Sequence, residues 1–135
     1  MSTIFSRIIA GELPGRFVFQ DDQCVAILSI SPLQPGHTLV IPRIEIDHWL
    51  DLPGPVAAHL MEVSQHIGKA QMRAFAPLRV GLVIAGFEVP HCHVHVVPMR
   101  GMPDLDFSNA QNDVSEADFE DCARRLRDAL DEANS

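Results

Sequence analysis

Pro90-His91-Cys92-His93-Val94-His95-Val96-Val97-Pro98 is an apolar segment with a histidine at every second position from 91 to 95. Because alternate side chains of a β-strand point to the same face, this spacing predicts a row of three imidazoles on one strand. At a rise of about 3.3 Å per residue, neighbouring Cα atoms of the row are about 6.6 Å apart and the outer two about 13 Å. Two of these histidines can share a metal ion, but a straight strand hardly lets all three converge on an ion held at about 2.0 to 2.1 Å.

The row suits an extended anionic group, such as a chain of phosphates. One neutral imidazole can attack phosphorus while its neighbours donate hydrogen bonds to oxygen atoms. An unperturbed imidazole pKa of about 6.5 leaves a nucleophilic nitrogen available near neutral pH. His93 has an imidazole on both sides and is the predicted nucleophile, with His91 and His95 binding or protonating the substrate. Two other interpretations stay open: a solvated strand face, or a metal site completed by His37, Glu88 or another distant ligand.

The rest of the chain divides into short elements separated by prolines and glycines. Residues 78–85 form an almost unbroken apolar run, which predicts a strand more deeply buried than residues 90–97 and paired with them around Gly86. In chain order we predict a helix at 4–10, strands at 16–20, 24–30 and 37–42, a helix from about Pro55 to Phe75, strands at 78–85 and 90–97, and a C-terminal helix that begins near Ser115. This order favours an α+β fold with an antiparallel sheet.

Composition narrows the classes of protein and partner. The 135 residues, 47% of them apolar, can form one hydrophobic core and are too few for two domains. The net charge of −8 argues against nucleic acid or an anionic membrane as the main partner. Most of that charge lies in the C-terminal loop and helix, since residues 104–135 hold ten acidic and three basic side chains.

Cysteine usage and hydropathy indicate the compartment. Three well-separated cysteines without a CxxC pair predict neither a disulfide framework nor a cysteine zinc site. Arg7 and Glu12 interrupt the apolar residues near the N-terminus, and no apolar run reaches the roughly 18 residues of a membrane span. We therefore expect a cytoplasmic protein that does not bind membranes.

With its surroundings, the histidine row resembles the histidine-triad (HIT) family. The resemblance runs from about Thr3 to Pro98, within a single domain that we expect to occupy residues 1–135. The agreeing segments, in order, are Ile4-Phe5, Ile8-Ile9-Ala10-Gly11-Glu12-Leu13-Pro14, Asp21-Asp22, Ala26-Ile27-Leu28, Ile30-Ser31-Pro32, and Pro35-Gly36-His37 leading into Leu39-Val40-Ile41-Pro42. The resemblance implies a HIT-like fold of about five antiparallel strands with a central and a C-terminal helix, usually paired as a homodimer.

The resemblance also implies hydrolysis or transfer at the α-phosphate of a nucleotide. In the family, the middle histidine forms a nucleotidyl-histidine intermediate, which water then releases. Carried over, His93 is the nucleophile, His91 and His95 hold the phosphate and assist proton transfer, and His37 supports the site from the neighbouring sheet. The base end of the pocket would be lined by Phe5, Ile8 and Ile27.

Three departures from the family pattern qualify these expectations. Many members bind structural zinc through four residues, of which the first three positions read Thr3, Ser6 and Glu45 in this chain. We therefore predict no structural zinc and no cofactor. Ser29 replaces a ribose-binding aspartate, so its grip on the ribose should be weaker or different.

The third departure lies before the triad, where Phe87 and Glu88 replace a glutamine and a hydroxyl residue that touch the phosphates. As an anion, Glu88 would repel a phosphate, and it could act as a general acid only if burial raised its pKa. The resemblance thus implies a phosphoramidase or dinucleoside polyphosphate hydrolase that uses His93 covalently. The alternative is a nucleotide-binding or interaction protein on the same fold with weak or no catalysis.

Overall fold

A computed structural model describes residues 2–133 and contains one five-stranded antiparallel sheet with the strand order β1-β2-β3-β5-β4. The elements are α1 (Ile4–Ile9), β1 (Phe17–Gln20), β2 (Cys24–Leu28), β3 (Thr38–Pro42), α2 (Gly54–Phe75), β4 (Arg79–Val83), β5 (Val94–Met99) and α3 (Glu116–Ala133). Short 3-10 turns occupy Trp49–Asp51, Met102–Leu105 and Phe107–Asn109. The predicted order of elements, and with it the α+β class with a central and a C-terminal helix, is confirmed.

Local chemistry explains where several elements begin and end. The Thr3 side chain caps α1 by accepting a hydrogen bond from the Ser6 amide at 3.1 Å, and Gly11 follows the helix at a φ of +83°. The three residues between the predicted strands at 16–20 and 24–30 form a hairpin loop closed by Asp21, whose Oδ1 accepts from the amides of Gln23 and Cys24 at 2.9 and 2.8 Å.

Helices cover both faces of the sheet, so β2 and β3 are buried along their whole length. On one face, α2 and α3 pack on the strands, and α2 contributes Leu60, Val63, Ile67 and Ala70, which recur at helical spacing, to the core. On the other face, α1 packs Phe5 and Ile8 against side chains of β2 and β3. This second face also carries the candidate site histidines described below.

The two C-terminal strands pair antiparallel as predicted, but their relative burial was predicted wrongly. All of β5 is buried, because it lies between β3 and β4. The apolar strand β4 lies at the edge of the sheet, and Leu82 within it is 39% exposed. A continuous apolar run is typical of a strand that is covered on both faces. The exposure of apolar side chains on β4 is therefore unusual.

Strand β5 also begins later than the histidine spacing predicts. The ladders end at Val94 opposite Val40 and at His95 opposite Val83, so His91 and His93 precede the strand. The Cys92 amide instead donates to the Ile46 carbonyl at 2.7 Å. The three imidazoles are therefore not equivalent members of one row. Within residues 2–133, none of the helices is both long and apolar enough to cross a membrane.

Candidate active site

Four histidines meet beside the start of β5. His95 lies in the strand, His91 and His93 lie in the extended segment before it, and His37 immediately precedes β3. The ring centroid of His95 is 4.9 Å from that of His93 and 5.2 Å from that of His37. All four side chains are buried, with exposed fractions of 0 to 6%. The structure thus brings the three triad residues together with the fourth histidine that sequence reasoning selected.

The hydrogen bonds of His93 determine which of its nitrogens is nucleophilic. Its Nδ1 lies 2.8 Å from the carbonyl oxygen of His91. A carbonyl oxygen only accepts hydrogen bonds, so the neutral ring carries its proton on Nδ1 and its lone pair on Nε2. The rings of Phe5 and His93 make a T-shaped contact with centroids 4.9 Å apart, which helps to hold the orientation of the imidazole. His93 Nε2 is therefore held ready to attack an electrophile.

The same reasoning assigns a direction to the contact between His37 and His95. The Leu33 amide donates to His37 Nδ1 at 3.0 Å, so the proton of neutral His37 is on Nε2. That nitrogen lies 3.0 Å from His95 Nδ1 and donates to it. The proton of neutral His95 is consequently on Nε2, and no group among residues 2–133 accepts a hydrogen bond from that buried atom. A ligand oxygen would satisfy it.

Burial keeps the imidazoles of His37 and His95 neutral. Burial and the neighbouring His95 and His93 lower the pKa of His37 to about 3. Burial and His93 lower the pKa of His95 to about 4, although Glu88 acts in the opposite direction. Burial also lowers the pKa of His91. At neutral pH, His37 and His95 therefore act through N–H groups and lone pairs and not as cations.

These depressed pKa values predict a loss of stability in mild acid. Between about pH 6.5 and the pKa values of folded His37 and His95, the unfolded chain binds more protons, so the free energy of unfolding should fall as the pH is lowered from 7 to 5. Each histidine contributes up to about 1.4 kcal/mol per pH unit to this slope. Urea unfolding at pH 7, 6 and 5 measures how steeply the free energy of unfolding changes with pH. This slope should be smaller for His37→Asn and for His95→Asn than for the wild type. Slopes equal to that of the wild type would contradict the assignment.

His91 has a different environment from the other two triad histidines. Its Nε2 donates to the Pro42 carbonyl at 2.8 Å, and its Nδ1 accepts from the Thr3 hydroxyl at 2.8 Å. Both nitrogens are thus occupied by protein groups, which differs from the predicted contact with phosphate. The geometry favours an orienting role, because His91 anchors the segment whose carbonyl oxygen fixes the tautomer of His93.

The positions at which the resemblance places zinc ligands also meet at His91. Ser6 Oγ donates to Glu45 Oε1 at 2.7 Å and lies 3.5 Å from His91 Nδ1, and the Thr3 amide donates to the same carboxylate at 2.8 Å. Structural zinc sites are built mainly from thiolates and imidazoles, whereas Thr3 and Ser6 offer neutral hydroxyls. The donor set does not fit structural zinc, and a hydrogen-bond cluster joins α1 to His91 instead. The absence of zinc from the purified protein stays a prediction.

Two other groups of residues within 2–133 have potential ligand atoms within 4.8 Å of one another. One contains Glu88, His93 and His95, but the Nε2 proton of His95 leaves that nitrogen without a lone pair for a metal. The other contains Asp21, Cys24 and His59. Burial raises the pKa of Cys24 to about 12, so its thiol is protonated at neutral pH and is a poor ligand. Sequence reasoning missed this second group, because His59 lies far from Asp21 and Cys24 in the chain.

Three of the residues predicted to bind base and ribose, Ile8, Ile27 and Ser29, line two neighbouring cavities. Ile8 and Ile27 border a cavity of about 470 Å³ that is closed on one side by α3 residues, including Glu116 and Glu120. Ser29 and His37 border another, of about 380 Å³. The two cavities share Leu28 and Phe119 as lining residues. Phe5 is buried beside Ile8 and Ile27 and contacts His93.

Residues of the acidic C-terminal region contribute more to the site than the sequence indicated. The Phe107 ring packs edge-on against His95, with centroids 4.9 Å apart, and helix α3 forms one wall of both cavities. Arg16 fixes α3 next to this region through ion pairs with Glu116 and Glu120. No spacing signal in residues 104–135 points to these contacts, which depend on how the chain returns across the sheet.

Comparisons with known proteins agree with this geometry. The family model of the HIT domain matches residues 10–102. A Zn-bound histidine-triad family protein of Mycobacterium smegmatis is 31% identical, with a TM-score of 0.86 over 99% of this chain and 96% of that one. A hypothetical histidine-triad nucleotide-binding protein of Sulfolobus tokodaii is 28% identical, with a TM-score of 0.85 over 96% and 93%.

A plant enzyme is also similar in sequence. The adenylylsulfatase HINT3 of Arabidopsis thaliana is 30% identical over 102 residues, which cover 72% of this chain and about half (52%) of the plant protein. The family model includes His37 and all three triad histidines, and the fold similarity extends over nearly the whole chain. The chain therefore belongs to the HIT domain family.

Proposed function

We propose that this protein is a nucleotide hydrolase that acts at an α-phosphate through a covalent intermediate on His93. The observation that carries the proposal is the tautomer of His93, whose Nδ1 is bound to a carbonyl oxygen so that the Nε2 lone pair is free. The unpaired Nε2–H of His95, whose ring lies beside that of His93, is suited to bind a phosphate oxygen. The adenylylsulfatase and nucleotide-binding descriptions of two relatives support the same substrate class.

In the proposed first step, His93 Nε2 attacks the α-phosphorus. A bond forms between Nε2 and phosphorus, and the bond from phosphorus to the leaving group breaks with its electron pair going to the leaving atom. An amine leaving group takes up a proton that comes from water. In the second step, water attacks phosphorus, the electron pair of the P–N bond returns to Nε2, and the nucleoside monophosphate is released with one water proton passing to solvent. His95 donates a hydrogen bond to the phosphate, and His37 holds His95 in place.

Trapping of the intermediate tests this proposal. The protein is mixed with adenosine 5′-phosphoramidate, quenched in base because histidyl phosphoramidates are labile in acid, and digested for mass spectrometry. We expect an adenylyl group on the peptide that contains His93. Saturable nucleotide binding without an adduct or turnover would instead favour the alternative of a binding protein. The carboxylate of Glu88 near His93 Nε2 is the observation that favours that alternative.

We propose further that the protein forms a homodimer through the exposed edge of β4. This β4 face combines Leu82 and Ile84 with Met61 and Met72 of α2, which are 38 to 57% exposed. Two apolar grooves of about 330 and 320 Å³ adjoin it and share Met61, Ser64 and Leu82. An apolar edge strand with unpaired backbone groups can pair with the same strand of a second copy. Such pairing would also bury the apolar residues 78–85, which the sequence predicted to be a buried strand.

Sedimentation analysis at micromolar concentration should give a dimer for the wild type and a monomer for Leu82→Glu. In a symmetric interface, the introduced carboxylate would lie close to the same carboxylate of the second copy, and the two would repel each other. Ile30→Glu is the matched control, since Ile30 is 79% exposed beyond β2 and away from the β4 edge. This control should remain dimeric. A wild-type protein that sediments as a monomer would contradict the proposed interface. The expected cytoplasmic location stays a prediction.

A further inference from the structure

Glu88 brings a carboxylate to the candidate active site. Its Oε2 lies 3.7 Å from His93 Nε2, and the side chain is about half exposed. Among the ion pairs formed by residues 2–133, none joins Glu88 to a lysine or arginine. His37 and His95 do not neutralise it at neutral pH, because burial lowers the pKa of both well below 7.

This position matters because the substrate has to approach the same nitrogen. For attack by His93, the α-phosphorus must come close to Nε2, so the α-phosphate and the leaving group both enter the field of Glu88. Each additional anionic group on the substrate is repelled, and a positive charge on the leaving group is attracted. Repulsion built into a site is a common source of specificity. Because Glu88 is half exposed, solvent screens the effect, and we expect it to be about tenfold in rate and not many orders of magnitude.

We propose that Glu88 selects substrates by charge, favouring nucleotide conjugates with a positively charged leaving group over those with further anionic groups. This inference rests on the proposed function and deepens it. The preferred class is nucleoside phosphoramidates of amines that carry a second, cationic group. Dinucleoside polyphosphates and nucleoside triphosphates are disfavoured, because they place two or more additional negative charges near the carboxylate. Glu88 acts in this way as a specificity-determining residue, while His93 performs the chemistry.

Three adenosine 5′-phosphoramidates of similar size test the proposal. Their amines are ethylenediamine, propylamine and β-alanine, which leave a cationic, a neutral and an anionic tail. For the wild type, kcat/KM should be about tenfold higher for the cationic than for the anionic tail, with the neutral one between them. Glu88→Gln should reduce this ratio to about one, chiefly by raising kcat/KM for the anionic tail. High salt should reduce the ratio of the wild type in the same direction.

Glu62→Gln is the matched control, because it makes the same chemical change at an exposed position of α2. It should retain the wild-type ratio. If Glu88→Gln keeps the wild-type ratio, or lowers kcat/KM equally for all three substrates, the charge-selection proposal is wrong while the hydrolase proposal stands.

A binding measurement separates the two proposals if the wild type cleaves none of the three compounds. Their dissociation constants are then measured on His93→Ala and on His93→Ala combined with Glu88→Gln. A preference for the cationic tail that disappears with Glu88→Gln supports charge selection even without catalysis. Equal dissociation constants in both proteins overturn it.

Discussion

His93→Ala is expected to lower kcat on adenosine 5′-phosphoramidate by at least about 10³-fold, which corresponds to about 4 kcal/mol of activation free energy. The reason is that neither of the other triad histidines offers a lone pair that could replace Nε2 of His93. Both nitrogens of His91 are hydrogen-bonded to protein groups, and His95 presents an N–H. Steady-state turnover measures the loss, with circular dichroism and thermal unfolding to show that the variant is folded. His66→Ala is the matched control, since His66 lies on α2 and contacts Phe19.

Rescue by a small molecule sharpens this prediction. In His93→Gly, free imidazole can occupy the space of the lost ring, and it should restore part of the turnover while the nucleotide is transferred to imidazole and not to the protein. Turnover of His93→Ala within tenfold of the wild type would show that another group, or water directly, attacks phosphorus. Loss of activity in His66→Ala to the same degree would show that the effect is not specific to the site.

Gly36→Ala is expected to destabilise the fold by about 3 kcal/mol. Gly36 has a φ of +90°, where an alanine costs roughly 1 to 2 kcal/mol. An added Cβ would also overlap the Phe75 ring, with Cδ2 and Cζ at 2.8 and 2.9 Å and Cε2 closer still. Such overpacking costs about 1 to 3 kcal/mol. Because Gly36 precedes His37, and its carbonyl accepts from Gln71 at 2.9 Å, the same change should disturb the support of His95.

Two other glycines allow urea unfolding experiments to separate the backbone cost of Gly36→Ala from its steric cost. Gly11 has a φ of +83°, but an added Cβ meets nothing within 4 Å, so Gly11→Ala should show the backbone cost alone. Gly54 begins α2 with open space around its Cα, so Gly54→Ala should be neutral or stabilising by up to about 1 kcal/mol. The expected order of stability is Gly54→Ala, then Gly11→Ala, then Gly36→Ala. Equal stability of the last two would contradict the steric argument against Phe75.

The sequence allowed the elements and their order to be predicted because their signals are local. The glycine that follows α1, the short loop between β1 and β2 and the helical spacing from Leu60 to Ala70 each depend on neighbours within a few positions. The burial of β4 was predicted wrongly because its apolar composition is typical of a covered strand, whereas its place at the sheet edge is a property of the topology. A second copy would reconcile the two observations.

The site was predictable to the extent that alternation brings His93 and His95 together and the resemblance adds His37. The distinct environment of His91 was not predictable, because it depends on Thr3 and Pro42, which are distant in sequence. The contact of Phe107 with His95 was missed for a similar reason: a single aromatic residue in an acidic loop has no periodicity to interpret. Hydrogen-bond partners, and with them the tautomers, become visible only in three dimensions.

The chain of hydrogen bonds behind His95 starts at the Leu33 amide, a group that does not ionise while the protein is folded. If His95 lost its Nε2 proton and recovered one from His37, nothing further back could replenish His37. These hydrogen bonds can therefore orient His95 but cannot relay protons to it from the protein interior. In the proposed reaction, every proton that is consumed would therefore come from the open side, carried by water or by the substrate itself. Leaving groups that arrive already protonated would thus be the ones that depart without waiting for solvent.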